Sequence, residues 1–269
     1  MRRDQLYVMV HEPFLSFKGN ARQKLAAMVH RFMVFVILRL ASKVFAGNKK
    51  WIEQLEPWKP KKLSIRWLPV FSNVPFRDDP EEVDRTRNRL LGSNNTQIVG
   101  HFGTYGPHTR DLLGPVFSSL LIRPSRLNLL LLGRGGTDFK SDFAKQYPHL
   151  ESRIFATGDL SQSNLSIHLQ ACDLMVQPYW GGLSTRNGSL MALLLHRLPV
   201  VGNYGPITDK EWFDWRAVEL VKEGDWQALV DKALMLLENK EERAWLSSSG
   251  YKLYLETFSL QATVDALLA

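Results

Sequence analysis

The stretch W-G-G-L-S-T-R-N-G-S-L-M-A-L-L-L-H-R-L-P-V-V, residues 180–201, decides the fold class. It opens as a loop, because Gly181 and Gly182 permit backbone angles that other residues rarely adopt. A dense apolar run then predicts a helix packed against a sheet, and Leu198 to Val201 predicts a buried strand. Arg186 lies at the mouth of the loop, where the start of a helix favours an anion. The stretch therefore predicts either a phosphate-binding turn or an ordinary capped helix between two strands.

Polar residues at the start of this predicted helix are candidate caps for its unpaired first-turn N–H groups. They are Ser184, Thr185 and Asn187. Gly188 and Ser189 follow as the first turn, whose N–H groups are expected to face an anionic ligand together with that of Asn187.

The composition is that of a soluble globular protein with an excess of basic residues. The chain has 269 residues, 45% hydrophobic and 23% charged, with a net charge of +7. This length predicts two domains, and the charge favours anionic partners: a phosphorylated ligand, an acidic membrane face or nucleic acid. The single cysteine, Cys172, excludes an internal disulfide framework and predicts a buried thiol in a reducing compartment. The sequence shows neither a signal peptide nor an apolar stretch long enough to span a bilayer, so we expect a cytoplasmic location.

The N-terminal part predicts three short strands separated by helices. The strands are residues 6–10, 45–47 and 65–70, and the helices are residues 20–41 and 49–55. Residues 77–96 are charged and poor in large apolar groups, with a surface helix predicted at 80–91 and a loop at 92–95. We therefore take residues 1–76 as a partial domain and 77–96 as a linker.

From residue 97 onwards, predicted strands and helices alternate. The strands are residues 98–103, 127–132, 153–156, 174–177, 199–202 and 217–221, and the helices lie near 108–121, 139–146, 161–171, 189–196 and 209–215. Apolar strands in βα alternation indicate an α/β domain, with a parallel sheet covered by helices on both faces. We expect this domain to span residues 97–250, with a helical break at 247–250 and a final helix over 251–269.

Glycine-rich turns follow four of these strands. They are Gly103–Gly106, Gly133–Gly136, Thr157–Leu160 and Pro178–Gly182. Because the carboxyl ends of parallel strands meet at one edge of the sheet, the four turns are expected to lie side by side and to form a ligand site there.

The order of these motifs resembles the nucleotide-sugar-binding half of GT-B glycosyltransferases of the retaining family four. The matching segments are Gly100–Gly103, Leu131–Gly135, Gly158–Leu160, Ala171–Pro178 and Arg197–Val201. The resemblance covers residues 97 to about 258, and Val10-His11-Glu12 with Ser72–Pro75 is similar to the second half of the acceptor domain. It implies a GT-B-like fold of two Rossmann-like domains, the first of them incomplete.

The resemblance also implies a donor site for a nucleoside-diphosphate sugar. Family members contact the transferred sugar with a histidine that matches His11, and Arg186 is the cation expected to pair with the diphosphate, so both are assigned to catalysis. The residues expected to contact the donor are Gly103, Thr104, Arg134, Gly158, Leu160, Tyr179, Ser184, Thr185, Asn187, Gly188 and Ser189. Transfer would retain the anomeric configuration, with positioning and electrostatic stabilisation of the leaving diphosphate as the main catalytic effects. Neither a metal nor another cofactor is expected.

Two departures separate the chain from the family pattern. The paired glutamates usual in the family fall on Ser184 and Ala192, so both carboxylates are absent, and Ser184–Ser189 resembles a variant of the form S-x-R-x-G-S. The acceptor domain also lacks its first βα units. We therefore expect a fragment or a truncated relative that transfers sugar poorly or not at all.

These departures leave a nucleotide-sugar-binding module without transfer activity as the alternative. For an active enzyme the expected partners are a nucleotide sugar and a glycan or lipid-linked acceptor. The basic helix at residues 20–41 predicts core packing, with peripheral contact to an anionic membrane on its inner face as the alternative. Nucleic-acid binding would require clustered Lys and Arg beside exposed aromatic residues, a pattern that the sequence does not show.

Overall fold

A computed structural model of the protein describes residues 5–92, 97–123 and 126–268. The strands in these ranges are β1 (Tyr7–Val10), β2 (Lys43–Ala46), β3 (Ile65–Trp67), β4 (Gln97–Phe102), β5 (Leu127–Leu132), β6 (Ile154–Ala156), β7 (Leu174–Gln177), β8 (Val200–Tyr204) and β9 (Glu219–Lys222). The helices are α1 (Ala21–Leu40), α2 (Lys49–Leu55), α3 (Pro80–Leu91), α4 (Pro107–Ile122), α5 (Gly136–Gln146), α6 (Gln162–Gln170), α7 (Gly188–Leu195), α8 (Glu211–Asp214), α9 (Trp226–Glu238), α10 (Lys240–Leu253) and α11 (Leu260–Leu268).

The N-terminal sheet is parallel, with its strands in the order β1-β2-β3. Helix α1 begins at a capping box, in which the Asn20 side chain accepts from the N–H of Gln23 and the Gln23 side chain accepts from that of Asn20. Val34 and Leu38 of α1 pack with Val44 of β2 in a small apolar core. Strands β1 and β3 are the two edge strands of this sheet in the described residues.

The second sheet has six parallel strands in the order β6-β5-β4-β7-β8-β9. Every residue of β5 is buried, and its side chains divide between two cores, Leu130 and Leu132 on one face and Leu129 and Leu131 on the other. A strand that is buried on both faces has mostly apolar residues and no alternation of apolar and polar ones. For this reason the apolar run predicted β5. The predicted α/β fold, with a parallel sheet covered on both faces, is confirmed.

Helix α3, which the sequence placed in the linker, packs against the six-stranded sheet unit. Arg87 Nη2 of α3 lies 2.9 Å from Asp173 Oδ1 and 2.8 Å from Oδ2, and Asp173 Oδ2 also accepts from the N–H of Ile98. The buried amide of Asn128 donates to the carbonyl oxygen of Leu90 at 2.5 Å and holds the end of α3. The loop predicted after Gly92 extends beyond the described residues.

The predicted helical break at residues 247–250 is wrong. Helix α10 runs through it: Ser247 Oγ donates to the Arg243 carbonyl oxygen within the helix at 2.8 Å, and Ser249 Oγ donates at 2.6 Å to the carbonyl oxygen of Trp215, which packs against the helix. A Cβ at Gly250 would lie 3.0 Å from the Ala217 carbonyl oxygen, so this glycine permits close packing within the helix. None of the helices in the described ranges combines the length and apolar character that crossing a bilayer requires.

Candidate functional site

The two sheets meet at Asn48, a fully buried residue that follows β2. The two hydrogens of its Nδ2 are shared among three acceptors: Ser184 Oγ at 2.7 Å, the Ile207 carbonyl oxygen at 2.8 Å and Asp209 Oδ2 at 3.0 Å. Its Oδ1 accepts from the N–H of Lys50 at 2.8 Å and so caps α2. One amide therefore joins the carboxyl end of the first sheet to two loops of the second.

Thr185 extends this polar junction. Its hydroxyl lies 2.7 Å from the Gly47 carbonyl oxygen and 3.0 Å from Asp209 Oδ2, and it accepts from Trp67 Nε1 at 3.3 Å. Its carbonyl oxygen accepts from the N–H of Val70 at 3.1 Å. The chain leaves β3 at Trp67 to make this contact, which is why the strand is shorter than the predicted 65–70.

Ser184 and Thr185 were both predicted to contact a donor. The structure places them in the junction, fully buried, with their hydroxyl groups engaged between the sheets. Their prediction as donor contacts rests on the resemblance alone, whereas their contacts with Asn48 and Gly47 are those of structural residues.

Four polar groups lie within hydrogen-bond distance of the Asp209 carboxylate at the centre of the junction. The N–H of Thr185 donates to Oδ2 at 2.8 Å and the N–H of Lys49 to Oδ1 at 3.3 Å, beside the two side-chain contacts already described. Burial raises the pKa of Asp209, and the hydrogen bonds from Thr185 and Lys49 oppose that rise by favouring the carboxylate. Glu211, which pairs with Lys49, adds a second negative charge nearby and raises the pKa further.

The glycine loops after β4 and β5 touch each other at the edge of the six-stranded sheet. Gly133, at φ 109°, approaches so closely that a Cβ there would lie 2.3 Å from the Gly103 carbonyl oxygen. The N–H of Tyr105 donates to the Arg134 carbonyl oxygen at 3.1 Å. Thr104 therefore lies between Gly103 and Tyr105, which both contact the loop after β5. The structure therefore brings the predicted residues Gly103, Thr104 and Arg134 together.

The loop after β6 adjoins these two. Arg134 Nε lies 3.4 Å from Asp159 Oδ2, and both side chains are mostly exposed. Gly158 adopts a left-handed conformation beside Thr137 at the start of α5, and Leu160 is partly buried along a cavity of about 520 Å³ between α3 and α6. The carboxylate of Asp159 thus lies beside the cation of Arg134.

A chain of side-chain hydrogen bonds links β4, β7 and α7. The side chain of Gln177, fully buried, accepts from the N–H of Phe102 at 3.2 Å and donates to the Phe102 carbonyl oxygen at 2.7 Å and the Tyr179 hydroxyl at 3.0 Å. The Tyr179 hydroxyl lies 2.6 Å from Ser189 Oγ. Burial raises the pKa of Tyr179 to about 12, so this hydroxyl stays protonated and positions the first turn of α7.

The start of α7 presents two N–H groups rather than the three predicted. The N–H of Asn187 donates to the Ser184 carbonyl oxygen at 3.0 Å, while Asn187 Oδ1 accepts from the N–H of Ser184 at 2.7 Å. Within the described parts of the chain, the N–H groups of Gly188 and Ser189 have no hydrogen-bond partner. These two groups form the opening of α7.

Arg186 is exposed between the two sheets. Its guanidinium carbon lies 4.9 Å from the centroid of the Trp51 ring on α2, and its Cβ packs beside Gly47. Its charge also lowers the pKa of Tyr179, although burial outweighs this effect. His11 follows β1 at the same edge of the N-terminal sheet as Gly47 and is exposed, so its catalytic role stays a prediction.

Sequence reasoning missed the residues that build the junction and one that borders the site. Asn48 and Asp209 lie 161 positions apart and follow no motif, so nothing local in the sequence connects them. Trp180 lies in the predicted turn Pro178–Gly182, but the sequence pattern predicted no role for it. It is 72% exposed, and its ring centroid lies 5.9 Å from that of His108 at the start of α4.

Comparison with known proteins yields no matching protein family and no curated relative, but solved structures match. Sucrose-phosphate synthase from Thermosynechococcus elongatus is 18% identical over 98% of this chain and 66% of its own, with a TM-score of 0.75. Anabaena HepE in complex with UDP and glucose is 18% identical over 98% of this chain and 70% of its own, with a TM-score of 0.74. WaaG, a glycosyltransferase involved in lipopolysaccharide biosynthesis, is 13% identical over 98% and 77%, with a TM-score of 0.71.

The chain has a GT-B-like fold. Its two parallel sheets correspond to the two Rossmann-like domains of that architecture, and the polar junction lies where their carboxyl edges face each other. The chain spans 66% to 77% of the length of these three proteins. In the GT-B-like frame, the loops containing Gly103, Arg134 and Gly188 lie at the edge of the second domain that faces the first.

Proposed function

We propose that the protein is a glycosyltransferase that takes a sugar from a nucleoside-diphosphate donor. The observation that carries this proposal is the meeting of the Gly103 and Gly133 loops at the edge that faces the first sheet. Arg186 and the opening of α7 lie at the same edge. Glycine loops allow close approach to the backbone, and free N–H groups with a cation at the start of a helix can bind a diphosphate. The complexes of HepE with UDP and with UDP-glucose support a nucleotide sugar as the ligand.

Arg186 is the principal cation in this proposal. It is exposed and forms no carboxylate ion pair among the described residues, whereas Arg134 faces Asp159. The N–H groups of Gly188 and Ser189 would receive phosphate oxygens while Arg186 closes over them, which stabilises the charge of the leaving diphosphate.

The missing glutamates change what holds the rest of the donor. Ala192, at the second glutamate position, is fully buried on α7, and the hydroxyl of Ser184 is engaged with Asn48. Neither residue offers a group to a ribose. Donor affinity would therefore depend more on the diphosphate than on the nucleoside.

Retention of the anomeric configuration and a glycan or lipid-linked acceptor remain parts of this proposal, with His11 as the group nearest the transferred sugar. Strand β1 is an edge strand of its sheet in the described residues, and its first residue, Tyr7, is exposed together with the preceding Leu6. An acceptor cleft beside His11 would need a wall next to this edge strand. A nucleotide-sugar-binding module without transfer activity is the alternative.

Calorimetry with UDP, GDP and ADP tests donor binding on the full chain. We expect one of them to bind and to raise the melting temperature, and a folded chain that responds to none would overturn the proposal. Release of the nucleoside diphosphate from the matching sugar donor, with and without oligosaccharide acceptors, then separates transfer from simple binding. Magnetic resonance of the product reports its anomeric configuration.

A further inference from the structure

Helix α1 exposes a row of large apolar side chains. We define the α1 face as Leu25, Met28, Val29, Phe32, Met33 and Leu40, each more than half exposed. Phe32 and Leu40 are the most open, at 67%. Monomeric proteins rarely expose a continuous apolar patch of this kind without a partner for it.

The α1 face points away from the sheet that the helix covers. Ala27, Val34 and Leu38 are the buried residues of α1, and at about 100° per residue they fall within roughly 40° of one another. Val29 and Phe32 lie about 140–160° from the centre of that group on the same count. A further βα unit beside β1 would extend the sheet sideways, so it would cover the flank of α1 and leave this outer side open.

Positive charge surrounds the α1 face. Arg22 and Lys24 lie at the start of the helix and Arg39 in its last turn, and the sequence of α1 contains no Asp or Glu. A second copy of the chain would bring the same cations against these, which opposes self-association. A surface rich in negative charge would instead attract these cations.

The segment before α1 packs along one flank of the helix. The Arg31 guanidinium donates to the Leu15 carbonyl oxygen at 2.7 Å and lies 3.9 Å from the centroid of the Phe17 ring. Arg31 is about 40° from the centre of the buried group, so this contact holds the exposed side chains of Leu15 and Phe17 between the sheet and the α1 face.

We propose that α1 binds an anionic lipid bilayer and lies in the plane of the membrane surface. The α1 face would enter the boundary between headgroups and acyl chains, while Arg22, Lys24 and Arg39 meet lipid phosphates. This orientation matches an in-plane helix with an apolar side and flanking cations. The contact is separate from the proposed sugar transfer and requires nothing of the donor site.

Flotation with vesicles tests this contact on the full chain. We expect the protein to float with vesicles of phosphatidylcholine containing about one third phosphatidylglycerol, and only weakly with phosphatidylcholine alone. Phe32→Ser combined with Val29→Ser should lower the partition coefficient at least tenfold, because burial of these side chains is lost. Arg22→Gln combined with Lys24→Gln should lower it about tenfold or more and remove most of its salt dependence.

The matched control is Ile122→Ser combined with Met235→Ser, which removes two exposed apolar residues from the other domain. This control should float like the parent chain. Equal flotation on neutral and anionic vesicles, or no loss with the α1 variants, would overturn the proposal. So would light scattering that shows a dimer broken by the Val29 and Phe32 substitutions without any vesicle binding. Nucleoside-diphosphate affinity, measured on the same variants, keeps this outcome distinct from the donor proposal.

Discussion

The side-chain amide of Asn48 lies 3.0 Å from the carboxylate of Asp209, joining two residues that are 161 positions apart in the chain. Both side chains are buried, and the two sheets of the molecule meet around them. The orientation of one domain against the other therefore depends on a polar junction with defined donors and acceptors. Buried polar groups of this kind are costly when a partner is removed.

Asn48→Ala should lower the free energy of unfolding by about 2–3 kcal/mol, because it removes a helix cap and a buried donor together. Asn48→Asp should be worse at neutral pH, since it keeps the cap but places a second carboxylate beside Asp209. Urea denaturation measures both. Asn239→Ala is the control, as this exposed residue only caps α10 and should cost about 1 kcal/mol. An Asn48→Asp variant as stable as Asn48→Ala at pH 7 would contradict the geometry.

Asp209 should make stability depend on pH in a definite direction. Because its pKa is raised in the folded protein, the folded state holds a proton that the unfolded chain has released. The stability contributed by the protonated group is therefore lost as pH rises from the unfolded value, 3.8, through the folded one. The stability of the parent relative to Asp209→Asn should be greatest at and below pH 3.8 and should decline as pH rises through the folded pKa.

Chemical denaturation across this pH range provides the measurement for Asp209. Asp142→Asn is the control, because Asp142 is exposed and its hydrogen bond with Lys145 lowers its pKa. The stability that the Asp142 carboxylate contributes is lost only as pH falls below 3.8. The difference in stability between the parent and Asp142→Asn should therefore stay constant above that pH. A difference for Asp209 that rises with pH would show that the hydrogen bonds outweigh burial.

Arg186→Ala should weaken nucleoside-diphosphate binding by about 1.5–3 kcal/mol, the range for a hydrogen bond to a charged group. Arg186→Lys should recover only part of the loss, because an ammonium group cannot pair with phosphate in the forked geometry of a guanidinium. Arg197→Ala, a substitution just beyond the other end of α7, is the control and should bind normally. Calorimetry that finds unchanged affinity for Arg186→Ala would remove this residue from the site.

Asp159→Asn should strengthen the same binding. The carboxylate lies 3.4 Å from Arg134 and also repels a phosphate, so its neutralisation frees the guanidinium for the ligand. The pair is exposed and screened, so we expect a gain of about 0.5–1 kcal/mol that shrinks at high salt. A loss of affinity would show that Asp159 contacts the donor directly.

Gly133→Ala should destabilise the protein by more than about 1–2 kcal/mol, because a Cβ at positive φ would meet the Gly103 carbonyl oxygen. Gly188→Ala is the matched substitution, since the space around that glycine is open. It should be neutral or stabilising by up to about 1 kcal/mol. Melting curves of the two variants thus test whether the loops after β4 and β5 are in contact. Equal melting temperatures would contradict that arrangement.

Most strands and helices could be predicted from the sequence, because their signals are local. The apolar run of β5 and the helix at residues 80–91 are found where the pattern placed them. The predicted break at 247–250 failed for a tertiary reason. Ser249 Oγ donates to the Trp215 carbonyl oxygen, and Gly250 lies where Ala217 leaves no room for a side chain.

The candidate site was predictable only in part. The glycine turns were identified because backbone that must approach closely or adopt positive φ requires glycine, as at Gly133. The position of Ser184 and Thr185 between the sheets was not, because their partners are Asn48 and Asp209. Neither partner belongs to a motif, and only the folded chain brings these residues together.

Thr185 and Arg186 are neighbours in the chain with separate roles. Thr185 is fixed between the domains, and Arg186 is open to solvent over Trp51. Any movement of Arg186 by a ligand would therefore reach its neighbour Thr185 and the contact between the two domains. A substitution in the first domain, at Trp51 for example, is then expected to change ligand affinity by changing how Arg186 is held.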